Sequence, residues 1–210
     1  MIRRLIYLVG IIAMVAFGWF YFINKNSKEY NLPKQKALKV SEHNEAFHQS
    51  LGNMMADYYA MTEAFVNWDT TTINKKSADL MTSMNELNLV DLKKDSLIFE
   101  TALIYQNKAK DQLGKLVEAK SLADKRISLN ILTPTLYDFL RIIKYDHDKV
   151  YLLECPMAFN DEESGFWLNK TSDVRNPYLG TSHPKYRKSM LECGLAKDTI
   201  NFLSHNTGNN

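Results

Sequence analysis

Apolar residues recur at steps of three and four along most of this chain, the spacing that builds one face of a helix. Phe47, Leu51, Met55, Tyr58, Thr62 and Phe65 follow it and predict a first helix over 41–67, with Ser41 as its N-cap. After the capping-rich run Asp69-Thr70-Thr71-Thr72, inward residues Ile73, Leu80, Met81, Met84 and Leu87 predict a second helix over 73–87. Ile98, Ala102, Tyr105, Ala109, Leu113 and Leu116 mark a third. It reads as continuing to about Ile131, because a lone Gly114 costs only about 1 kcal/mol relative to alanine. Thr133-Pro134 then reads as a cap and a first-turn proline, starting a fourth helix over 134–145 that buries Leu136, Phe139, Leu140 and Ile143. Four helices with short connections imply a mainly α fold, an up-and-down four-helix bundle.

The period changes beyond Asp148. Residues 149–154 (KVYLLE) are β-branched and aromatic and read as a strand leading into Cys155. The polar run 160–165 (NDEESG) is a turn, and Phe166-Trp167-Leu168 is the returning strand. Its acidic residues Asp161, Glu162 and Glu163 lack the alternating oxygen ligands of a calcium loop and read as a solvated turn. Asn176-Pro177 opens another turn, and Gly180 and Gly194 punctuate the rest. A small C-terminal β-hairpin and loop segment therefore follows the helices.

The amino terminus departs from both patterns. Behind Arg3 and Arg4, residues 5–23 are uncharged and strongly apolar, about 19 residues or roughly 28 Å of helix, close to the thickness of a bilayer core. Trp19, Phe20, Tyr21 and Phe22 gather at the far end, where an interfacial belt would sit. A cleaved signal peptide would have a shorter apolar region and a clear small-x-small site, and Ala16-Phe17-Gly18 is the one passable candidate. The expected organisation is a membrane anchor over 1–24, a polar lysine-rich linker over 25–40, a helical body with its cysteine segment over 41–203, and a disordered tail over 204–210. Arg3 and Arg4 place the amino terminus in the cytoplasm, so the body faces the periplasm from a single-pass inner-membrane anchor.

Composition narrows the chemistry. Against 26 Lys and Arg stand 24 Asp and Glu, a net charge of +2 that gives no footing for nucleic acid. No His-x-x-x-His, Gly-x-Ser-x-Gly, phosphate-cradling glycine loop or Cys-x-x-Cys pair occurs, so no enzyme is expected. The methionines at 54, 55, 61, 81 and 84 have the spacing of core filler. His43 and His48 do not share a helical face, and His147 sits in the turn before the cysteine segment.

The two cysteines carry what chemistry remains. Cys155 is followed by Met157, and Cys193 is preceded by Met190, so two thiols and two thioethers come from the two ends of one segment. These four are soft ligands suited to copper(I), and they form the candidate metal site. The same cysteines in an oxidising compartment would instead pair as a disulfide, and the residues leave both readings open.

Cys155-Pro156-Met157-Ala158, Trp167-Leu168, Asn176-Pro177-Tyr178 with Gly180, and Met190 with Cys193-Gly194 together resemble a bacterial domain of uncharacterised function. That domain occurs at the C-terminus of periplasmic adaptor subunits of heavy-metal (copper/silver-type) efflux pumps and in stand-alone exported proteins. The stretches 58–66 and 126–132 are similar to its helical part. The resemblance implies a helical bundle, an envelope location, a link to copper or related soft metals, and efflux-pump components as partners. Two features depart from the pattern: a separate N-terminal anchor, and the additional residues 181–189 (TSHPKYRKS) between the Asn-Pro-Tyr turn and Met190.

The anchor has a direct test. The full-length chain should remain with membranes through a carbonate wash, and a mature amino terminus mapped near Trp19 would show a cleaved signal instead.

Overall fold

A computed structural model describes residues 43–203 of the chain. The anchor, the linker, the Ser41 cap and the tail lie outside the described residues. Within them the protein is mainly helical, with a small three-stranded antiparallel sheet. The order is α1 (Glu45–Val66), α2 (Thr70–Glu86), a 3-10 turn (Leu89–Lys94), α3 (Ser96–Glu118), α4 (Leu122–Ile142), β1 (Val150–Phe159), β2 (Glu163–Asn169) and β3 (Leu195–Ile200). Among the described residues no helix is long and apolar enough to cross a membrane.

α1 and α2 pack together as a pair, α3 and α4 as another, and α4 also supports β2. The apolar stripes that predicted α1 and α2 are the ones that face the core. Phe47, Leu51, Met55, Tyr58 and Phe65 are buried from α1, and Ile73, Leu80 and Met84 from α2, while Met81 is half-buried. The methionines at 54, 55, 61 and 84 are enclosed in this apolar core. Asn44 caps α1 by accepting from Phe47 N at 2.8 Å, and Asp69 caps α2 by accepting from Thr72 N at 3.0 Å.

The third and fourth helices correct the expectation from sequence. α3 stops at Glu118, and α4 starts at Leu122 rather than Pro134. Ser121 supplies the cap that was assigned to Thr133: its hydroxyl accepts from Asp124 N at 3.0 Å and donates to the Asp124 carboxylate at 2.6 Å. Lys125, almost wholly buried, then reaches back and donates to Leu116 O at 2.8 Å, satisfying a carbonyl at the end of α3. Pro134 therefore lies inside α4, where it lacks the N–H that would donate to Asn130 O. Thr133 is buried, and its hydroxyl meets Tyr58 OH at 2.8 Å.

β1 is the central strand of the order β2-β1-β3. Asn160 and Asp161 join β1 to β2 with φ of 52° and 65°, the paired left-handed geometry of a tight hairpin turn. Leu153 and Cys155 of β1 and Trp167 and Leu168 of β2 are buried. β3 was not foreseen: Leu195 to Thr199 are all exposed and only Ile200 is buried, so no alternation marks it.

Asn130 of α4 joins the sheet to the helices. Its side chain donates to Ser164 O at 3.1 Å and accepts from Phe166 N at 2.8 Å, and Tyr178 OH, which donates to Phe166 O at 2.5 Å, lies 3.2 Å from the same amide oxygen. The outer edge of β2 is thus paired by one amide instead of another strand. Asn130→Ala should lower unfolding free energy by about 2 kcal/mol, from the loss of two bonds at a half-buried site. Denaturant titration measures this, and a change below about 0.5 kcal/mol would contradict the clamp.

Candidate functional site

Residues 170–194 connect β2 to β3 with no helix or strand of their own, so their backbone polar groups need partners from turns, neighbouring backbone and side chains. Asn176, fully buried, provides three of them. Its Oδ1 accepts from Tyr178 N at 2.8 Å and Leu179 N at 3.0 Å, and its Nδ2 donates to Cys193 O at 2.8 Å. Its backbone N–H also donates to Leu191 O at 2.9 Å. One residue thus shapes the Asn-Pro-Tyr turn and holds the chain beside Cys193.

The second cysteine is thereby brought to the first. Cys155 Sγ and Cys193 Sγ stand 2.8 Å apart, both as free thiols. Cys155 is fully buried in β1 and Cys193 is half-buried. Two glycines permit the approach. Gly194 has φ of 146°, and a Cβ there would sit 2.8 Å from Glu154 O and from the Trp167 ring. Gly165, the register partner of Cys155, leaves the space that the Tyr178 ring takes: a Cβ would lie 2.7 Å from it. Burial, reinforced by the neighbouring Cys155 thiol, pushes the Cys193 thiol up to about 12, which disfavours the thiolate.

Met157 and Met190 are half-buried and pack against the same core as the two cysteines. A register irregularity lies between Cys155 and Phe159, so β1 is not a regular strand through Met157. Among the described residues no group of three or more His, Cys, Asp or Glu side chains could hold a metal ion. His147 has His48, Tyr145 and Gly52 as neighbours, its ring 6.2 Å from those of His48 and Tyr145. His43 Nε2 donates to Ile143 O at 2.8 Å, at the end of α4, and its Nδ1 stands 3.6 Å from the Asp91 carboxylate.

A second feature holds the same segment against the helices. Trp68 ends α1 with φ of 60°, at the left-handed position of a helix stop where glycine is usual. Trp68 N donates to Phe65 O and Asp69 N to Ala64 O, each at 3.1 Å, which completes that stop. The strain of a bulky residue there is offset by what the indole does. Its Nε1 donates to Leu179 O at 3.0 Å, and the Arg126 guanidinium stacks over its ring at 3.9 Å. Arg126 Nε donates to Pro177 O at 3.3 Å, and Thr181 N donates to Val66 O at 2.8 Å. Sequence reasoning missed Asn176, Asn130 and Trp68 as organising residues. The one local signal was Asn preceding Pro, which marks a turn but not a buried amide.

Compared with family models, curated proteins and solved structures, the chain matches none.

Asn176→Ala should cost about 3 kcal/mol or more, since two buried N–H groups and one carbonyl lose their partner. Asn176→Asp should be no better, because its carboxylate would face Cys193 O without a proton to donate. Thermal unfolding of both variants checks this, and a near-native aspartate variant would contradict the assigned orientation of the amide.

Proposed function

We propose that this chain is a membrane-anchored envelope protein whose C-terminal segment is fastened to an up-and-down helical bundle by a Cys155–Cys193 disulfide. It acts by binding a partner and not by catalysis. The carrying observation is the juxtaposition of the thiols at 2.8 Å. Two sulfurs sharing one tetrahedral ion through bonds of about 2.3 Å would stand roughly 3.7 Å apart, farther than these do.

Bond formation releases one proton from each thiol and passes two electrons to an external oxidant, such as an oxidised thiol–disulfide oxidoreductase of the envelope. The periplasm, inferred from the basic N-terminus and apolar run, is a compartment where the product persists. With the cysteines 38 positions apart, the closed loop stabilises the fold by on the order of 3–4 kcal/mol through chain entropy.

Copper(I) is the second reading, supported by Met157 and Met190, half-buried on the core that also packs both cysteines. Opening the thiols by about 1 Å would bring their spacing to that of two thiolates on one ion. Heavy-metal efflux components are then the partner class, as the resemblance of the cysteine motif implies.

Unfolding and metal titration separate the two. Under the disulfide reading, Cys155→Ser and Cys193→Ser each lower the stability of the oxidised chain by about 3 kcal/mol. Met157→Leu and Met190→Leu change it by less than about 1.5 kcal/mol. One equivalent of copper(I) bound by the reduced chain, lost in both serine variants and weakened in both leucine variants, would replace this reading with the metal one.

A further inference from the structure

The residues 181–189 form a compact basic turn, and a cleft of about 660 Å³ opens between Thr181, Ser182, His183, Pro184, Arg187 and Lys188. The turn is held from several sides. His183 and Arg187 bridge, with Arg187 N donating to His183 O at 2.7 Å. The His183 ring stacks on Tyr186 at 5.1 Å and meets Trp68 edge-on at 5.9 Å. Tyr186 OH donates to Asp161 at 2.8 Å, and Lys185 pairs with the same carboxylate. Arg187 has φ of 51°, a conformation uncommon for a non-glycine residue and frequent where a backbone is shaped for a ligand.

The charge of the cleft is one-sided. Lys185 is neutralised by Asp161, whereas Arg187 and Lys188, both exposed, form no ion pair among the described residues. Behind Trp68 lies Arg126, almost buried, with no carboxylate partner and with Nη2 lacking a hydrogen bond among the described residues. His183 Nδ1 accepts from Lys185 N at 3.3 Å and Tyr186 N at 3.2 Å, so the neutral ring carries its proton on Nε2. Burial, and then the charge of Arg126, lower the pKa of His183 and favour that neutral form. Thr181 gives its hydroxyl proton to Val66 O at 3.2 Å, and the exposed Ser182 makes a long contact of 3.5 Å to Thr181 Oγ1 that a better acceptor in the cleft would replace.

We propose that this cleft binds a phosphoryl group, with Arg187 and Lys188 as charged donors and Ser182 Oγ and His183 Nε2 as neutral ones. Several donors on a turn, with no free carboxylate among them, suit a tetrahedral oxyanion better than a planar two-oxygen carboxylate. The group can belong to a free phosphate or phosphomonoester, or to the phosphodiester of a lipid headgroup. The site is independent of the cysteine pair and of the function proposed for it.

Calorimetric titration of the full-length chain tests this with inorganic phosphate, glycerophosphoglycerol as the headgroup diester, and acetate. Saturable binding of either phosphorus compound in preference to acetate is expected. Preference for inorganic phosphate assigns a free phosphate or monoester, and comparable or tighter binding of the diester assigns a lipid headgroup. The double variant Arg187→Gln, Lys188→Gln should bind at least about tenfold more weakly with an unchanged melting temperature. Ser182→Asp, which places a negative charge in the cleft, should abolish binding. No binding of either compound, equal binding of acetate, or full affinity in the double variant would overturn the proposal.

Discussion

A long irregular segment can be packed against a protein interior only if its buried peptide groups find partners, and here the amide of Asn176 supplies three of them at the turn that carries Cys193, beside the backbone bonds of the loop itself. Its carbonyl gathers the two N–H groups of the Asn-Pro-Tyr turn, and its NH2 holds the carbonyl of Cys193. The position of the second thiol therefore follows from a neutral polar contact some distance along the chain. Bonding between the sulfurs would lock an arrangement that the amide already favours, and reduction alone need not release it. Tyr178, carried on the same turn, fills the space left by Gly165 and reaches Asn130 through its hydroxyl.

The sheet rests on the helices through polar side chains as much as through apolar burial. Tyr58 OH links Thr133 of α4 with Leu168 N of β2, at 2.8 and 3.2 Å. Burial pushes that hydroxyl up to about 12, so it stays protonated across the physiological range. Asn130 pairs the edge of β2, and the stack of Arg126 on Trp68 presses the loop against the end of α1. These contacts are directional and fix one register of sheet on bundle, which apolar packing alone leaves adjustable.

Where burial is one-sided and regular, the sequence reveals it: Phe47, Leu51, Met55 and Tyr58 outline α1. β1 was legible from its β-branched and aromatic composition instead, since its burial does not alternate cleanly. The hairpin between β1 and β2 was legible from its polar turn. The boundary between α3 and α4 was not, because Thr133-Pro134 is a stronger local signal than Ser121. Tertiary contacts decide that case: Lys125 completes the end of α3, and Tyr58 engages the Thr133 hydroxyl. β3 was invisible because a solvated edge strand has almost no inward face. The closeness of Cys155 and Cys193 was an expectation common to the metal and disulfide readings, and the chain spacing alone does not distinguish them, since it does not give distance through space. Trp68 and Asn176 act through backbone geometry and buried amide bonds, neither of which leaves a periodic trace.

The central claim is that the two thiols are bonded to each other in the cell. Its most direct measurement is alkylation of the full-length chain, isolated under denaturing acid so that thiol exchange is stopped, followed by peptide mass spectrometry. The account predicts that Cys155 and Cys193 stay unlabelled until a reductant is added, and that a cross-linked peptide containing both is recovered before reduction. Quantitative labelling of both cysteines without reductant would contradict it.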